Sequence, residues 1–213
     1  MKKDLSQIRK EYSLKSLDEK DIQSDPFQQF QVWLNEALKS DIIEPTAAAL
    51  ATTGKNMIPS CRMILLKEIT DEGFIFFSNY LSKKGKQLEE NHYGSLLFFW
   101  AGLERQIRIE GRIERTPPDK SDEYYLSRPG KSRIGAWASP QSEEIPDREW
   151  LEQKHADYEL EFIGVPPKRP EHWGGYILIP YAFEFWQGRP KRLHDRIEYY
   201  LDDDQWKTRR LAP

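Results

Sequence analysis

The chain has 213 residues, of which 38% are hydrophobic and 31% charged, with a formal net charge of −3. That length suits one sizeable globular domain or two small ones, one being the expectation, and that balance excludes a surface given over wholly to nucleic acid or anionic membrane. One cysteine, Cys61, excludes an internal disulfide and a cysteine-based zinc cluster.

Residues 1–24 scatter apolar side chains among Lys, Asp, Glu and Ser without a sustained period, so a mobile arm is expected. Its first residues lack the apolar core of a signal peptide, and no run in the chain approaches the ~18 apolar residues of a membrane span. A cytoplasmic protein is the expectation. Asp25-Pro26 supplies an N-cap and a first-turn proline, and Phe27, Phe30, Leu34, Ala37 and Leu38 follow at helical spacing. Five strands are then predicted over 46–53, 58–66, 73–78, 95–100 and 106–114, separated by turns such as Thr53-Gly54-Lys55-Asn56. Between the third and fourth, Ser82 caps a helix whose first turns carry Lys83, Lys84 and Lys86. Lysines oppose the macrodipole there unless an anion sits among them; a solvated loop is the plain alternative.

Pro117-Pro118 opens a helix through Tyr124 and Tyr125, a short helix is predicted over 132–138, and a longer one from Pro146 to about Phe162. Strands resume at 176–179, 183–187, 196–201 and 206–210. The class predicted is mainly β with peripheral helices, one domain over 25–213, built as an antiparallel barrel or sandwich.

Four cationic groups fall on predicted strand ends and turns: Arg62 with Lys67, Lys83 with Lys84, Arg128 with Lys131 and Arg133, and the Arg192–Arg196 segment, part of a longer basic stretch from Arg189. That stretch packs Arg189, Lys191, Arg192, His194 and Arg196 into eight positions. A dianionic ligand would relieve that repulsion, and a solvated basic hairpin would also accommodate it. Strand alternation puts Arg62, Ile64 and Leu66 on one face, with Cys61, Met63, Leu65 and Lys67 on the other. No phosphate-binding glycine loop, zinc-protease motif or serine-hydrolase elbow is present. His92, His155 and His172 lack ligand-like spacing, and Trp100, Trp137, Trp173 and Trp206 read as core.

Seven blocks, in order, carry a resemblance: RMILLK at 62–67, FFSNYLSKKG at 76–85, ERQ at 104–106, YYLSRPGKS at 124–132, GAWASPQS at 135–142, FEFWQGRPKRLHDR at 183–196, and the terminal RLAP. Over almost its whole length the chain closely resembles the pyridoxine (pyridoxamine) 5′-phosphate oxidase family. The resemblance implies a split β-barrel forming a homodimer, with FMN between subunits, and oxidation of pyridoxine 5′-phosphate and pyridoxamine 5′-phosphate by oxygen. Position by position, it implies that Arg62, Met63, Ile64, Leu65, Leu66, Lys67, Phe77, Ser78, Lys83, Lys84 and Gln106 line the FMN site. Gln141, Ser142, Trp186 and Arg196 match the remaining flavin contacts. Lys67, Tyr124, Arg128, Ser132, Arg192 and His194 match residues that hold substrate, Arg192 and His194 being the catalytic pair. Arg9 and Tyr12 resemble arm residues that cover it. Cys61 stands where serine is expected and Lys191 where asparagine is common, neither at a matched ligand position. A flavin-binding split-barrel reductase or cofactor-storage protein would need the flavin contacts but not the substrate set. A nucleic-acid-binding barrel would need a broader basic stripe.

Overall fold

The computed structural model describes residues 3–8 and 10–213. Among them are five α-helices and nine strands. The strands join one sheet in the order β2-β1-β5-β6-β7-β4-β3, with β8 on β7 and β9 on β8. In chain order the elements are α1 (Pro26–Leu38), β1 (Ala47–Thr53), β2 (Pro59–Leu65), β3 (Glu68–Ile69), β4 (Phe74–Asn79), α2 (Lys83–Glu90), β5 (Tyr93–Trp100) and β6 (Arg105–Arg115). Then follow α3 (Pro118–Ser127), α4 (Gly130–Ala138), α5 (Arg148–Glu161), β7 (Trp173–Gln187), β8 (Asp195–Asp202) and β9 (Gln205–Arg210). The class is mainly β with peripheral helices, as expected.

Contacts divide the chain into two compact units. The first comprises the chain up to Ala48 with Leu96–Glu110 and Tyr181–Pro213; the second comprises Ala49–Ser95 and Gly111–Pro180. Strands β1, β5, β6 and β7 contribute residues to both.

In the first unit, α1 starts where Asp25 Oδ1 accepts the N–H groups of Phe27 (2.7 Å) and Gln28 (3.1 Å). Its apolar stripe packs edge-on against strand aromatics, Phe30 on Phe98 at 5.1 Å and Trp33 on Phe185 at 5.2 Å between ring centroids. Each such ring removed from water contributes about 1.5–3 kcal/mol. The buried Arg105 lies over Trp33 and is held by Gln187 (2.9 Å) and Glu36 (3.0 Å).

The second unit is centred on Leu50, Phe74, Phe76, Leu88 and Leu178. Its helix α2 begins at Ser82, whose Oγ accepts the Gly85 N–H at 3.3 Å. A Cβ on Gly85 would overlap the Tyr80 carbonyl and lie 2.8 Å from Tyr80 Cα. Gly85→Ala should therefore lower stability by about 1–3 kcal/mol in a denaturant titration. Gly130→Ala meets nothing within 4 Å and serves as the neutral control.

Three expectations need correction. Residues 176–179 and 183–187 are parts of one strand, β7, that runs through Pro180. Its residues Trp173–Leu178 pair with β4 and Ala182–Gln187 with β8, so the proline falls between the two ladders, where its missing N–H removes no bond from either. Helix α5 is capped by Asp147, which accepts the Trp150 N–H at 2.7 Å, so it begins after Pro146. The two-residue strand β3 was not foreseen.

Candidate active site

In the second unit, Lys84 is 8% exposed. Its Nζ donates to Gln141 Oε1 (2.7 Å), Ser78 Oγ (3.0 Å) and Ser82 Oγ (3.2 Å), all neutral oxygens. Burial, and then the Arg62 charge, push its pKa down to about 8. Arg62 is held in the same way: Nη1 donates to Leu50 O (3.0 Å) and Thr52 Oγ1 (2.6 Å), and Nη2 to Ser60 Oγ (2.6 Å). Gln87 Oε1 accepts from both Thr52 and Ser60 at 2.7 Å and tethers this frame to α2. Burial lowers the Arg62 pKa as well. Among the described residues neither cation pairs with a carboxylate. Two desolvated like charges on neutral acceptors suit an anion, which would recover the cost of burying them. Lys83 is exposed and, with Lys86, Asn56 and Ser142, lines an adjoining cavity of about 360 Å³. Ser142 takes a left-handed φ of 73°.

The β2 alternation is as predicted: Ile64 and Leu66 are buried, while Cys61, Met63, Leu65 and Lys67 are exposed. Phe77 stacks on Tyr124 with centroids 3.9 Å apart and planes 16° off parallel, and Trp173 continues the stack at 5.6 Å from Phe77. The Arg128 guanidinium lies 4.6 Å over Trp173. Its Nη1 and Arg133 Nε are buried with no hydrogen-bond partner among the described residues. Such atoms are costly unless a ligand oxygen meets them. Tyr124 and Arg128 do share one site, with Arg128 just past the end of the helix that carries Tyr124. Helix α3 ends at Ser127 because Pro129 forces Arg128 to an extended ψ of 149°, and Ser132 lies exposed on α4.

In the first unit, the Trp186 and His194 rings lie 4.7 Å apart, and Tyr12 packs on them at 5.7 and 5.8 Å. His194 Nδ1 accepts the Arg189 N–H at 3.1 Å, which leaves Nε2 to carry the proton of the neutral ring. Burial and the Arg192 charge lower its pKa, opposed by Asp195. Lys10, Tyr12, Arg189, Lys191, Arg192 and His194 line a cavity of about 530 Å³. The backbone of 190–192 is a 3₁₀ turn with left-handed φ at Lys191 (57°) and Arg192 (63°).

Cation density here is partly relieved from within. Arg189 pairs with Asp195 at 3.4 Å, and Arg196 grips the buried Glu184 in a two-pronged pair of 2.7 and 3.0 Å. Arg108 reaches the same carboxylate at 2.8 Å. Lys191 and Arg192 have no carboxylate partner among the described residues. Gln106 is half-buried on β6. Arg9 lies outside the described residues. Sequence reading left Glu104, Glu184 and Trp173 out of the site, and placed Arg133 only in a cationic group beside Arg128. A charged residue between Phe183 and Phe185 marked Glu184, but its partners are not visible in one strand's pattern.

Residues 34–160 match the model of the pyridoxamine 5′-phosphate oxidase family, and residues 173–213 match that of the pyridoxine 5′-phosphate oxidase C-terminal dimerisation region. The chain is 51% identical to a pyridoxine/pyridoxamine 5′-phosphate oxidase of Cupriavidus pinatubonensis over 98% of this chain and 99% of that one. It is also 51% identical to one of Neisseria meningitidis over 99% of this chain and all of that one. Among solved structures it resembles PhzG of Burkholderia lata, determined with tetrahydrophenazine-1-carboxylic acid, with a TM-score of 0.88 and 34% identity over 94% of this chain and all of that one. A pyridoxamine 5′-phosphate oxidase-related, FMN-binding protein of Nostoc punctiforme shares the fold at a TM-score of 0.70 and 14% identity, over 89% of this chain and 98% of that one.

Proposed function

The chain belongs to the pyridoxamine 5′-phosphate oxidase family of split-barrel oxidoreductases, and on that premise we propose that it is an FMN-dependent oxidase. It converts pyridoxine 5′-phosphate and pyridoxamine 5′-phosphate to pyridoxal 5′-phosphate and reduces oxygen to hydrogen peroxide. The observation that carries this reading is a pair of cation sites in one unit, Lys84 with Arg62 and Arg128 with Arg133, none bonded to a carboxylate among the described residues. Two such sites match two phosphates, one on the cofactor and one on the substrate.

When bound, FMN supplies the two-electron acceptor. Lys84 and Arg62 would hold its phosphate, with Ser78 and Gln141 fixing the ammonium; Lys83, Ser142, Gln106, Trp186 and Arg196 complete the proposed cofactor set. Arg128, Tyr124, Ser132 and Lys67 would clamp the substrate phosphate. The clamps lower the entropic part of the barrier by holding the reacting atoms near contact. His194 would hydrogen-bond the 4′ oxygen or nitrogen through Nε2, and Arg192 would favour loss of that atom's proton to water, so that the 4′ carbon can release hydride. The enzyme proposed is a cytoplasmic homodimer. An arm over 1–24 covers substrate, and one cofactor-binding domain spans 25–213. No helix among the described residues is long and apolar enough to cross a membrane.

The test is direct. The purified protein should be yellow and consume oxygen with pyridoxine 5′-phosphate, forming one peroxide per aldehyde. Tight flavin binding without oxygen uptake on either substrate would favour the reductase or storage reading.

A pH dependence follows from Lys84. A bound phosphate stabilises its ammonium and raises its pKa above the value of about 8 that it has alone. FMN affinity is therefore fully present below that pH and declines above it, by up to tenfold per pH unit, as the free protein sheds the proton. Flavin-quenching titrations between pH 7 and 9.5 should show this slope in the wild type and none in Lys84→Met. A flat wild-type profile removes Lys84 from the phosphate site.

A further inference from the structure

Glu104 sits within the ERQ block and is assigned no role by the cofactor and substrate reading. It follows the 3₁₀ turn Ala101–Leu103 in the left-handed region, at φ 55° and ψ 40°, and is 3% exposed. Its Oε2 accepts two adjacent backbone N–H groups of the arm, Ser13 at 2.8 Å and Leu14 at 3.0 Å. Lys10 Nζ lies 3.6 Å from Oε1. The Glu104 carbonyl accepts the Gly188 N–H at 2.7 Å and Gln187 Nε2 at 3.2 Å, so one residue ties the arm to the end of β7. Hydrogen bonds to a carboxylate are about twice as strong as neutral ones, and this carboxylate is itself buried.

Gly188 completes the arrangement. A Cβ there would lie 2.8 Å from both Cβ and Cγ of Tyr12 and 3.0 Å from Glu104 Cβ. The missing side chain is thus the space that Tyr12 occupies when its ring meets Trp186 and His194. Further along, Asp195 Oδ2 accepts the Leu17 N–H at 3.0 Å and Arg210 Nη2 donates to Leu17 O at 3.0 Å, so the arm is fixed behind Tyr12 as well.

We propose that Glu104, with Gly188 as the socket for Tyr12, is the clasp that docks the N-terminal arm on the Trp186–His194 face. It is a positioning residue that acts on substrate through Tyr12. Its effect on turnover rests on the proposed oxidase reading; the docking itself does not.

The experiment uses the full chain saturated with FMN and reads two quantities. Hydrogen exchange at the Ser13 and Leu14 amides should be slow in the wild type and in Glu104→Gln, which keeps a carbonyl acceptor, and fast in Glu104→Ala. Steady-state kinetics with pyridoxine 5′-phosphate should show KM raised about tenfold or more in Glu104→Ala, with kcat changed far less and Glu104→Gln restoring most of the loss. Gly188→Ala keeps the carboxylate but fills the socket, and should raise KM in the same way. Amides that stay protected in Glu104→Ala overturn the clasp, whatever the activity. Amides that become labile in a protein that oxidises neither B6 phosphate uphold the clasp while sinking the oxidase reading. An equal KM in wild type and Gly188→Ala overturns the socket.

Discussion

Alanine at His194 or Arg192 is expected to leave FMN bound while lowering kcat/KM for pyridoxine 5′-phosphate by about 10²–10⁴-fold. The flavin should stay because neither residue belongs to the neutral-oxygen frame around Lys84 and Arg62, which is complete within its own unit. Turnover should fall because the Arg189 N–H occupies His194 Nδ1 and so commits Nε2 to donating. His194 pKa is lowered, so the ring charges only as pH drops below its ordinary value near 6.5. An acid limb assigned to His194 should therefore lie below that pH and vanish in His194→Ala, while kcat/KM stays level above it. Absorbance spectra report the flavin and steady-state rates report the loss. Colourless protein that turns over normally once FMN is restored would reverse the division between cofactor and substrate residues.

Local chemistry made much of the fold legible. Asp25-Pro26 announces α1, Ser82 announces α2, and alternation from Arg62 to Lys67 gives the inward and outward faces of β2, because each signal lies within a few residues of what it specifies. Proline misled in one place and informed in another. Residues 176–179 and 183–187 read as two strands on either side of Pro180, yet Pro180 falls between two ladders of one strand; Pro129 does end the helix before Arg128 and separates it from the helix that carries Ser132. What sequence could not show was which charges already have partners. Arg196 was counted with the free cations, and only tertiary structure brings it to Glu184, twelve residues away across β7 and β8. Glu104 was invisible for the same reason, since its partners lie about ninety residues earlier. Resemblance supplied the site residues. The structure adds that Lys84, Arg62 and Arg128 are desolvated cations with no carboxylate partner among the described residues.

The other large effect concerns assembly. Lys67, Lys84, Tyr124 and Arg128 all fall in one compact unit, and Trp186, Arg192, His194 and Arg196 in the other. The second set also lies in the stretch that matches the dimerisation region. In the proposed homodimer each active site takes one set from each subunit, and two-fold symmetry then builds two equivalent composite sites. Arg128→Ala and His194→Ala homodimers should each be nearly inactive, since every site carries one defect. Co-refolding the two should yield heterodimers in which one site bears both defects and the other bears neither. Random pairing makes half the dimers mixed, so about a quarter of all sites, and of wild-type activity, should return. Native mass spectrometry verifies that mixed dimers have formed. If they have and no activity returns, Arg128 and His194 of a single chain serve the same site, and the division between subunits is wrong.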